Sequence, residues 1–332
     1  MAKKILFSVF IFVVALELML RVKGMYVTSN ERAMNMYMYR YRTSTPTSVH
    51  SWKKNERIDY QQAEFGYINQ CNEFGLRELP LDSFLKDTTT VKILCLGDSF
   101  TEGDGAPYDS SWVRRVEFLT NQSQRNKYAF FNAGVCGSDV FFNHQWLKTD
   151  VAKLKPQLVI ECLNTSDIDD VIWRGGQERF NADGTTKGKV GPRWEFFYKF
   201  SHLFRAYVHG VLKYNINLTK PSQEAEAILR IKDELKRNAA YCQQHGILYK
   251  VLLQPCPHEI RDSSTLNKLF FNQLSILPFA INLTKPLQAK LTPQNINQYS
   301  WPINGHYNSQ GYQVLGDVIF GEAINKIIKP NY

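Results

Sequence analysis

The sequence lacks the short motifs that mark metal, nucleotide and disulfide proteins. Its six cysteines include no Cys-x-x-Cys pair and show no metal-ligand spacing, which excludes the usual zinc motifs and a disulfide framework. There is also no glycine-rich phosphate loop, no dinucleotide-binding fingerprint and no internal repeat. We therefore expect a protein that works without a cofactor.

Blocks of like charge are missing as well. Lysine and arginine number 40 against 31 acidic residues, which gives a net charge of +9, but the basic residues are scattered and form only short pairs such as Lys53-Lys54. Nucleic-acid binding calls for a basic stripe or a recognisable motif, so we expect no nucleic-acid partner. The positive charge is compatible with solubility and with a mild attraction to anionic lipid or glycan.

Long hydrophobic runs are absent except at the N-terminus. Residues 5–20 are apolar apart from one serine and one glutamate, and they follow the pair Lys3-Lys4. As a helix they would extend about 24 Å, slightly less than a bilayer core. Three interpretations are open: a signal peptide cleaved near residues 22–24, an uncleaved signal-anchor, and a buried core helix. We favour a signal-anchor helix over residues 1–24, with the lysine pair in the cytoplasm. This predicts a single-pass protein of the cytoplasmic (inner) membrane whose domain faces the periplasm or the cell exterior.

Beyond this run, the sequence predicts an N-terminal extension and one α/β domain. Residues 25–90 are polar and rich in tyrosine, and we expect them to pack onto the domain rather than fold separately. In residues 91–332, short apolar runs alternate with helical patterns, which is typical of a parallel sheet with right-handed crossovers. Residues 167–221 interrupt this alternation and are interpreted as an insertion at the mouth of the sheet. The predicted strands are residues 91–97, 128–134, 157–163, 249–255 and 279–283.

Polar residues follow three of these strands. Ser99 comes two residues after the first strand, residues 132–137 end the second, and residues 164–167 follow the third. The carboxyl ends of parallel strands share one edge of a sheet, where open α/β folds bind ligands. His306 lies far downstream, before the last amphipathic segment. A serine nucleophile needs a base, and acyl transfer needs clustered N–H donors, so this set predicts an acyl-transfer site. Taken alone, Asp98 and Ser99 could equally cap a helix.

Three segments carry a resemblance to a known family. They are GDSFTEG at 97–103, NAGVCG at 132–137 and GHYN at 305–308, and in this order they resemble the sequence blocks of the SGNH (GDSL-type) hydrolases. The resemblance covers roughly residues 91–328 and implies a flavodoxin-like, three-layer α/β fold. We expect a five-stranded parallel sheet in the order 2-1-3-4-5, preceded by the membrane anchor helix.

The resemblance also assigns roles to residues. Ser99 corresponds to the nucleophile and, through its N–H, to one oxyanion donor; Gly137 corresponds to the oxyanion glycine and His306 to the general base. The apolar N-terminus and the Asn-x-x-Gly-x-Arg stretch at 72–77 look like membrane-anchored bacterial members of the family.

Two blocks depart from the family pattern. The third block usually ends Gly-x-Asn-Asp, but Ser166 stands where the family has its oxyanion asparagine, so that Asn164 or the Ser166 hydroxyl would have to substitute. The family also places an aspartate two or three residues before the histidine, where this chain has Ile303 and Asn304. Asparagine can hold an imidazole tautomer but cannot stabilise imidazolium as a carboxylate does. A carboxylate from the neighbouring loop is the alternative, and the candidates are Asp167, Asp169 and Asp170.

Three functions fit these features. We favour an extracytoplasmic serine esterase that removes acyl or acetyl groups from a cell-envelope glycan or lipid. The two departures from the family pattern predict that its activity is weak. The second is O-acyl transfer onto an envelope glycan, which would require a membrane-bound acyl donor protein as partner. The third is a catalytically degenerate binding module.

Overall fold

The computed structural model describes residues 2–23, 42–43, 51–123, 127–148, 153–174, 176–185, 197, 200–212 and 221–328. The chain forms two compact units, one made of residues 1–40 and 189–220 and the other of residues 41–188 and 221–332. The remaining parts of the predicted extension and insertion, such as residues 24–41, 44–50 and 186–196, lie outside the described residues.

The second unit is built on a parallel sheet of five strands. Short antiparallel pairs come first in the chain, β1 (Arg42–Thr43) with β2 (Ser51–Trp52) and β3 (Arg57–Gln61) with β4 (Gly66–Gln70). The sheet itself consists of β5 (Val91–Gly97), β6 (Tyr128–Gly134), β7 (Leu158–Leu163), β8 (Leu248–Leu253) and β9 (Ala280–Asn282). All its pairings are parallel and its order is β6-β5-β7-β8-β9. This is the predicted order 2-1-3-4-5, and the strand bounds agree with the predicted ones to within two residues.

Two apolar clusters make this unit three layers thick. Alternate residues of a strand face opposite sides of a sheet; accordingly, Leu94 and Leu96 of β5 belong to one buried cluster, while Ile93 and Cys95 belong to the other. A strand that is buried on both faces consists of a continuous run of apolar residues. This is why β5, β6 and β7 could be predicted from the sequence. The predicted α/β, three-layer fold class is therefore confirmed.

The helices of the second unit cover both faces of its sheet, and the first unit adds the first and seventh helices of the chain. In chain order they are α1 (Ala2–Lys23), α2 (Leu81–Leu85), α3 (Ser99–Glu102), α4 (Trp112–Ser123), α5 (Val140–Lys148), α6 (Ser166–Arg174), α7 (His202–Gly210), α8 (Pro221–Gln244), α9 (Pro257–Arg261), α10 (Lys268–Ser275), α11 (Thr284–Gln288), α12 (Ile296–Tyr299), α13 (Ser309–Ile319) and α14 (Asn325–Ile328). A π-helical turn, Phe320–Ile324, joins the last two.

Residues 51–85, from the predicted extension, contact the loops at the carboxyl edge of the sheet. Trp52 donates from its indole N–H to Glu102 at 2.9 Å. The guanidinium of Arg77, which is 1% exposed, donates to the carbonyl oxygens of Gly103 and Ala106 at 2.8 and 2.6 Å. Since these loops follow β5, this part of the chain forms one side of the sheet's carboxyl edge.

The first unit contains α1 and α7. Residues Lys3–Lys23 have a mean hydropathy of 2.5 and are long and apolar enough to cross a membrane, judged by length and composition. The large apolar side chains between Ile5 and Val14 are exposed, which argues against a buried core helix. The carboxylate of Glu17 accepts the backbone N–H groups of His202 and Leu203 at 3.0 and 2.8 Å. Glu17 therefore caps the N-terminus of α7, since a carboxylate satisfies the free N–H groups there.

Candidate active site

Ser99 follows the carboxyl end of β5, an interior strand of the sheet, as its position in the sequence predicts. Asp98 is the N-cap of α3 and accepts the N–H of Phe100 at 2.9 Å. Capping is thus performed by Asp98, and the hydroxyl of Ser99 makes a different contact. The alternative that Ser99 serves only as a cap is not what the structure shows.

Ser99, His306 and Asn304 form a hydrogen-bonded chain. The Oγ of Ser99 lies 2.6 Å from Nε2 of His306, and Nδ1 of the same ring lies 2.6 Å from Oδ1 of Asn304. The amide oxygen can only accept, so Nδ1 carries the proton, and Nε2 is left to accept from the Ser99 hydroxyl. The ring of Phe100 packs against the imidazole with 4.6 Å between centroids. Gly305, with φ of +86°, makes the turn that brings Asn304 back to the ring.

The carboxylate nearest to this histidine is Asp104, which the sequence analysis did not single out. Its Oδ2 lies 3.9 Å from Nδ1 of His306. Of the aspartates considered from sequence, Asp167 instead accepts the N–H of Asn164 at 2.9 Å. Neither Asp169 nor Asp170 forms an ion pair with His306 within the described residues. Asn304, the residue favoured from sequence, holds Nδ1, and the alternative of a carboxylate from the loop after the third strand is not what these contacts show. The sequence does show that Asp104 lies five residues after Ser99 and between two glycines. In the structure both glycines have a positive φ, so the chain turns sharply at this aspartate.

In the described part of the chain, the protein itself does not use the two backbone N–H groups that the family resemblance assigns to the oxyanion. Among the described residues, neither the N–H of Ser99 nor that of Gly137 takes part in a hydrogen bond. Gly137 has φ of +67°, a conformation that glycine adopts without strain. The preceding N–H, that of Cys136, is held by Glu102 at 2.8 Å, which fixes the loop that carries Gly137.

Asn164 and Ser166, the predicted substitutes for the family's oxyanion asparagine, contact Asp98. The side-chain amide of Asn164 donates to Oδ2 of Asp98 at 2.8 Å, and the hydroxyl of Ser166 lies 2.9 Å from the same oxygen. Burial raises the pKa of Asp98, while the hydrogen bonds from Asn164, Phe100 and Ser166 oppose the rise. In this arrangement both side chains stabilise the carboxylate beneath the Ser99 turn, and Ser166 offers no free donor.

The hairpin β3–β4 fixes the loop that carries the histidine. Glu64, in the turn between the two strands, accepts the backbone N–H groups of Ile303 and Asn304 at 3.0 and 2.6 Å. Tyr67 of β4 donates from its hydroxyl to Asp104 at 3.0 Å. Sequence reasoning found neither residue, because both lie in a polar segment with no chemical motif.

The described residues contain no group of three or more His, Cys, Asp or Glu side chains that could hold a metal ion. The site brings together a serine, an imidazole, a neutral amide, the carboxylates of Asp98 and Asp104, and two backbone N–H donors.

Comparisons with known proteins return solved structures only. No family profile and no curated protein matches the chain. A lipase from a goat rumen metagenome is 13% identical with a TM-score of 0.44, covering 70% of this chain and 98% of its own. An acetyl xylan esterase is 14% identical with a TM-score of 0.44, and the match covers 70% of this chain and 100% of the esterase. A lipase/acylhydrolase from Enterococcus faecalis is 15% identical with a TM-score of 0.42, and the match covers 71% of this chain and 97% of the acylhydrolase. At these values the likeness does not bear on the reaction, which has to be derived from the site.

Proposed function

We propose that this protein is a serine ester hydrolase of the SGNH type. The observation that carries the proposal is the unbroken chain from Ser99 through His306 to Asn304, with the free N–H groups of Ser99 and Gly137 beside it. A hydroxyl held 2.6 Å from a neutral imidazole has a base to take its proton, and paired N–H donors suit the oxyanion of an acyl-transfer intermediate.

The reaction proceeds in two halves. In the first, Oγ of Ser99 attacks the ester carbonyl while its proton passes to Nε2 of His306, and the carbonyl oxygen becomes an oxyanion that accepts the two N–H groups. The carbon–oxygen bond to the alcohol then breaks, and the alcohol leaves with the proton from Nε2. In the second half, water gives a proton to Nε2 and attacks the acyl carbon on Ser99. The bond between this carbon and Oγ then breaks, Oγ takes back the proton from Nε2, and the carboxylic acid leaves.

We place this activity at the cell envelope, on an acylated glycan or lipid outside the cytoplasmic membrane. The apolar helix α1, with a lysine pair in its first turn and exposed side chains along it, supports anchorage in that membrane. Near the membrane the enzyme would meet envelope polymers and lipids carrying acetyl or longer acyl esters.

Labelling with a fluorophosphonate probe and hydrolysis of an activated acetyl ester test the proposal together. Both should be present in the full-length protein in detergent and absent from Ser99→Ala. The matched control is Ser110→Ala, at a partly exposed serine on the same segment, which should behave as the unmodified protein. Full labelling and activity in Ser99→Ala would end the proposal. Adding an acylatable glycan to the same assay separates transfer from hydrolysis, because transfer leaves the acyl group on the glycan.

A further inference from the structure

The acidic neighbour of His306 occupies an unusual place in the sequence. Asp104 follows Ser99 by only five residues, and its side chain is 6% exposed. Oδ1 accepts the Tyr67 hydroxyl at 3.0 Å and the N–H of Gly105 at 3.1 Å. Oδ2 points to the imidazole, with 3.9 Å to Nδ1 of His306. In the described residues, His306 is the ion-pair partner of Asp104.

We propose that Asp104 supplies the negative charge that stabilises the His306 imidazolium, whereas Asn304 only fixes the orientation of the ring. The inference rests on the proposed function, since an imidazolium forms when Ser99 gives up its proton. At 3.9 Å, Asp104 is too far for a hydrogen bond to Nδ1, so it acts through its charge. Attraction between opposite charges at this distance is substantial in a partly buried site. The two tasks of a catalytic aspartate are thereby divided between two residues.

The loop geometry fixes this charge in place. Gly103 and Gly105, on either side of Asp104, have φ of +87° and +93°, and a Cβ on Gly105 would lie 2.6 Å from the carbonyl oxygen of Tyr307. The indole N–H of Trp301 donates to the Gly105 carbonyl at 2.7 Å. Only glycine allows this approach, which places Asp104 against the segment that carries the histidine.

Other charged groups near the ring do not replace Asp104. Asp98 interacts with His306 electrostatically, but Asn164 and Ser166 hold its carboxylate. The cation of Arg77 lies 4.8 Å from the Tyr67 ring centre and donates to carbonyl oxygens. The remaining titratable groups around the loop are Glu64, bound to the Asn304 N–H, and the buried Glu102, Tyr67 and Tyr312. Burial raises the pKa of Tyr67, and the charge of Asp104 raises it further, so that Tyr67 stays a neutral donor to the carboxylate.

The test is an NMR titration of the His306 ring in full-length protein labelled with 13C-histidine, in detergent, with the signal assigned from His306→Ala. In Asp104→Asn, the protonation midpoint of the ring should fall by about one pH unit or more, because the imidazolium loses its counter-charge. The acid limb of the kcat/KM profile should move in the same direction, and kcat for an acetyl ester should fall about 10- to 100-fold with little change in KM. Asp109→Asn, at an exposed aspartate on the same segment, is the matched control and should leave the midpoint in place.

A second variant does not depend on the folding of the first. Tyr67→Phe removes one donor from Asp104 but keeps its charge, so the imidazolium keeps its counter-charge and the ring midpoint should not fall as it does in Asp104→Asn. Asn304→Ala removes the acceptor of Nδ1 instead, and should lower kcat at every pH without a downward displacement of the limb.

An unchanged ring midpoint in Asp104→Asn, with the protein folded, overturns the inference whatever the activity. So does a ring midpoint that falls as far in Tyr67→Phe as in Asp104→Asn, because Tyr67→Phe keeps the charge of Asp104. A displaced midpoint in a protein that hydrolyses no ester supports the charge pair and rejects the proposed function, so the two failures are distinguishable.

Discussion

Single residues of this protein carry constraints that no conservative substitution can meet, and Gly134 is the clearest. It ends β6 beside the Ser99 turn, where a Cβ would lie 2.2 Å from the backbone nitrogen of Glu102 and 2.6 Å from the carbonyl carbon of Thr101. Both atoms belong to α3, the short helix that begins with Ser99. A side chain at position 134 would therefore push on the helix that carries Ser99, the proposed nucleophile.

Gly134→Ala should lower the free energy of unfolding by about 1–3 kcal/mol, the usual cost of overpacking a close contact, and should abolish ester hydrolysis. Denaturant unfolding and an acetyl-ester assay measure the two effects. Gly321→Ala is the control, because a Cβ there meets nothing within 4 Å. Equal stabilities of the two variants would mean that the β6–α3 contact is looser than described.

Glu161 makes stability depend on pH at a site away from the reaction. It lies fully buried on β7, and burial raises its pKa to about 7 although Tyr249, Asn143 and Asn238 donate to it. This value exceeds that of the unfolded chain, 4.5, so the folded protein holds a proton that the unfolded chain releases. The stabilisation is complete below pH 4.5 and is lost as the pH rises through 7.

We expect the free energy of unfolding to fall by up to about 3 kcal/mol between pH 4.5 and pH 8 because of this group. Glu161→Gln should remove most of that slope, since an amide does not titrate, while Glu234, whose pKa burial also raises, remains in both proteins. Urea unfolding at a series of pH values measures the slopes. Identical slopes in the two proteins would assign the dependence to other groups.

Among the elements, the hairpin β3–β4 has the most direct effect on the site. Its turn residue Glu64 holds two N–H groups of the loop before His306, and Tyr67 of β4 holds Asp104. Aromatic contacts fasten the hairpin to the rest of this edge, including Phe65 against Trp301 with 5.4 Å between ring centres. The hairpin thus positions two parts of the site, Asp104 and Asn304, that are 200 residues apart in the sequence.

Glu64→Ala should reduce kcat about 3- to 10-fold with little change in KM, because the loop carrying Asn304 loses an ionic acceptor in a partly hydrated place. Steady-state kinetics on a soluble acetyl ester measures kcat and KM separately. Asp59→Ala, at an exposed residue of the same hairpin, serves as the control and should keep full activity. A larger KM with unchanged kcat would indicate that Glu64 contacts substrate instead of positioning the loop.

At the scale of the whole molecule, the open question is where the N-terminal helix resides. Helix α1 is apolar and exposed along most of its length, and in water such a surface would drive aggregation. A membrane core removes that cost. If α1 spans a membrane, the lysine pair at its start predicts a cytoplasmic N-terminus.

We therefore predict that residues 1–24 stay on the mature protein and that the unit with Ser99 is cleaved by protease added to intact spheroplasts. Mass spectrometry of the membrane-extracted protein gives the N-terminus, and the protease experiment gives the side of the membrane. A cytoplasmic marker protein that stays intact is the control. A mature chain that begins near Met25 would show a cleaved signal peptide instead.

The sequence alone determined the sheet and the two principal residues of the site. The strands β5, β6 and β7 could be located because strands buried on both faces are continuous apolar runs, and their parallel pairing follows from the helices between them. Ser99 and His306 could be singled out because they lie in short motifs at a strand end and before a helix. Each of these signals is local in the chain.

Only the tertiary structure decided which charge faces the histidine and what holds it there. The contact of Tyr67 with Asp104 joins residues 37 positions apart, and that of Glu64 with Asn304 joins residues 240 positions apart. No local pattern records such a pairing, since each side chain taken alone reads as an ordinary polar residue of a loop. The same holds for Asn164 and Ser166, whose donors contact Asp98 because β5 and β7 are neighbours in the sheet. Distances between far-separated segments are set by packing, and packing is a property of the whole fold.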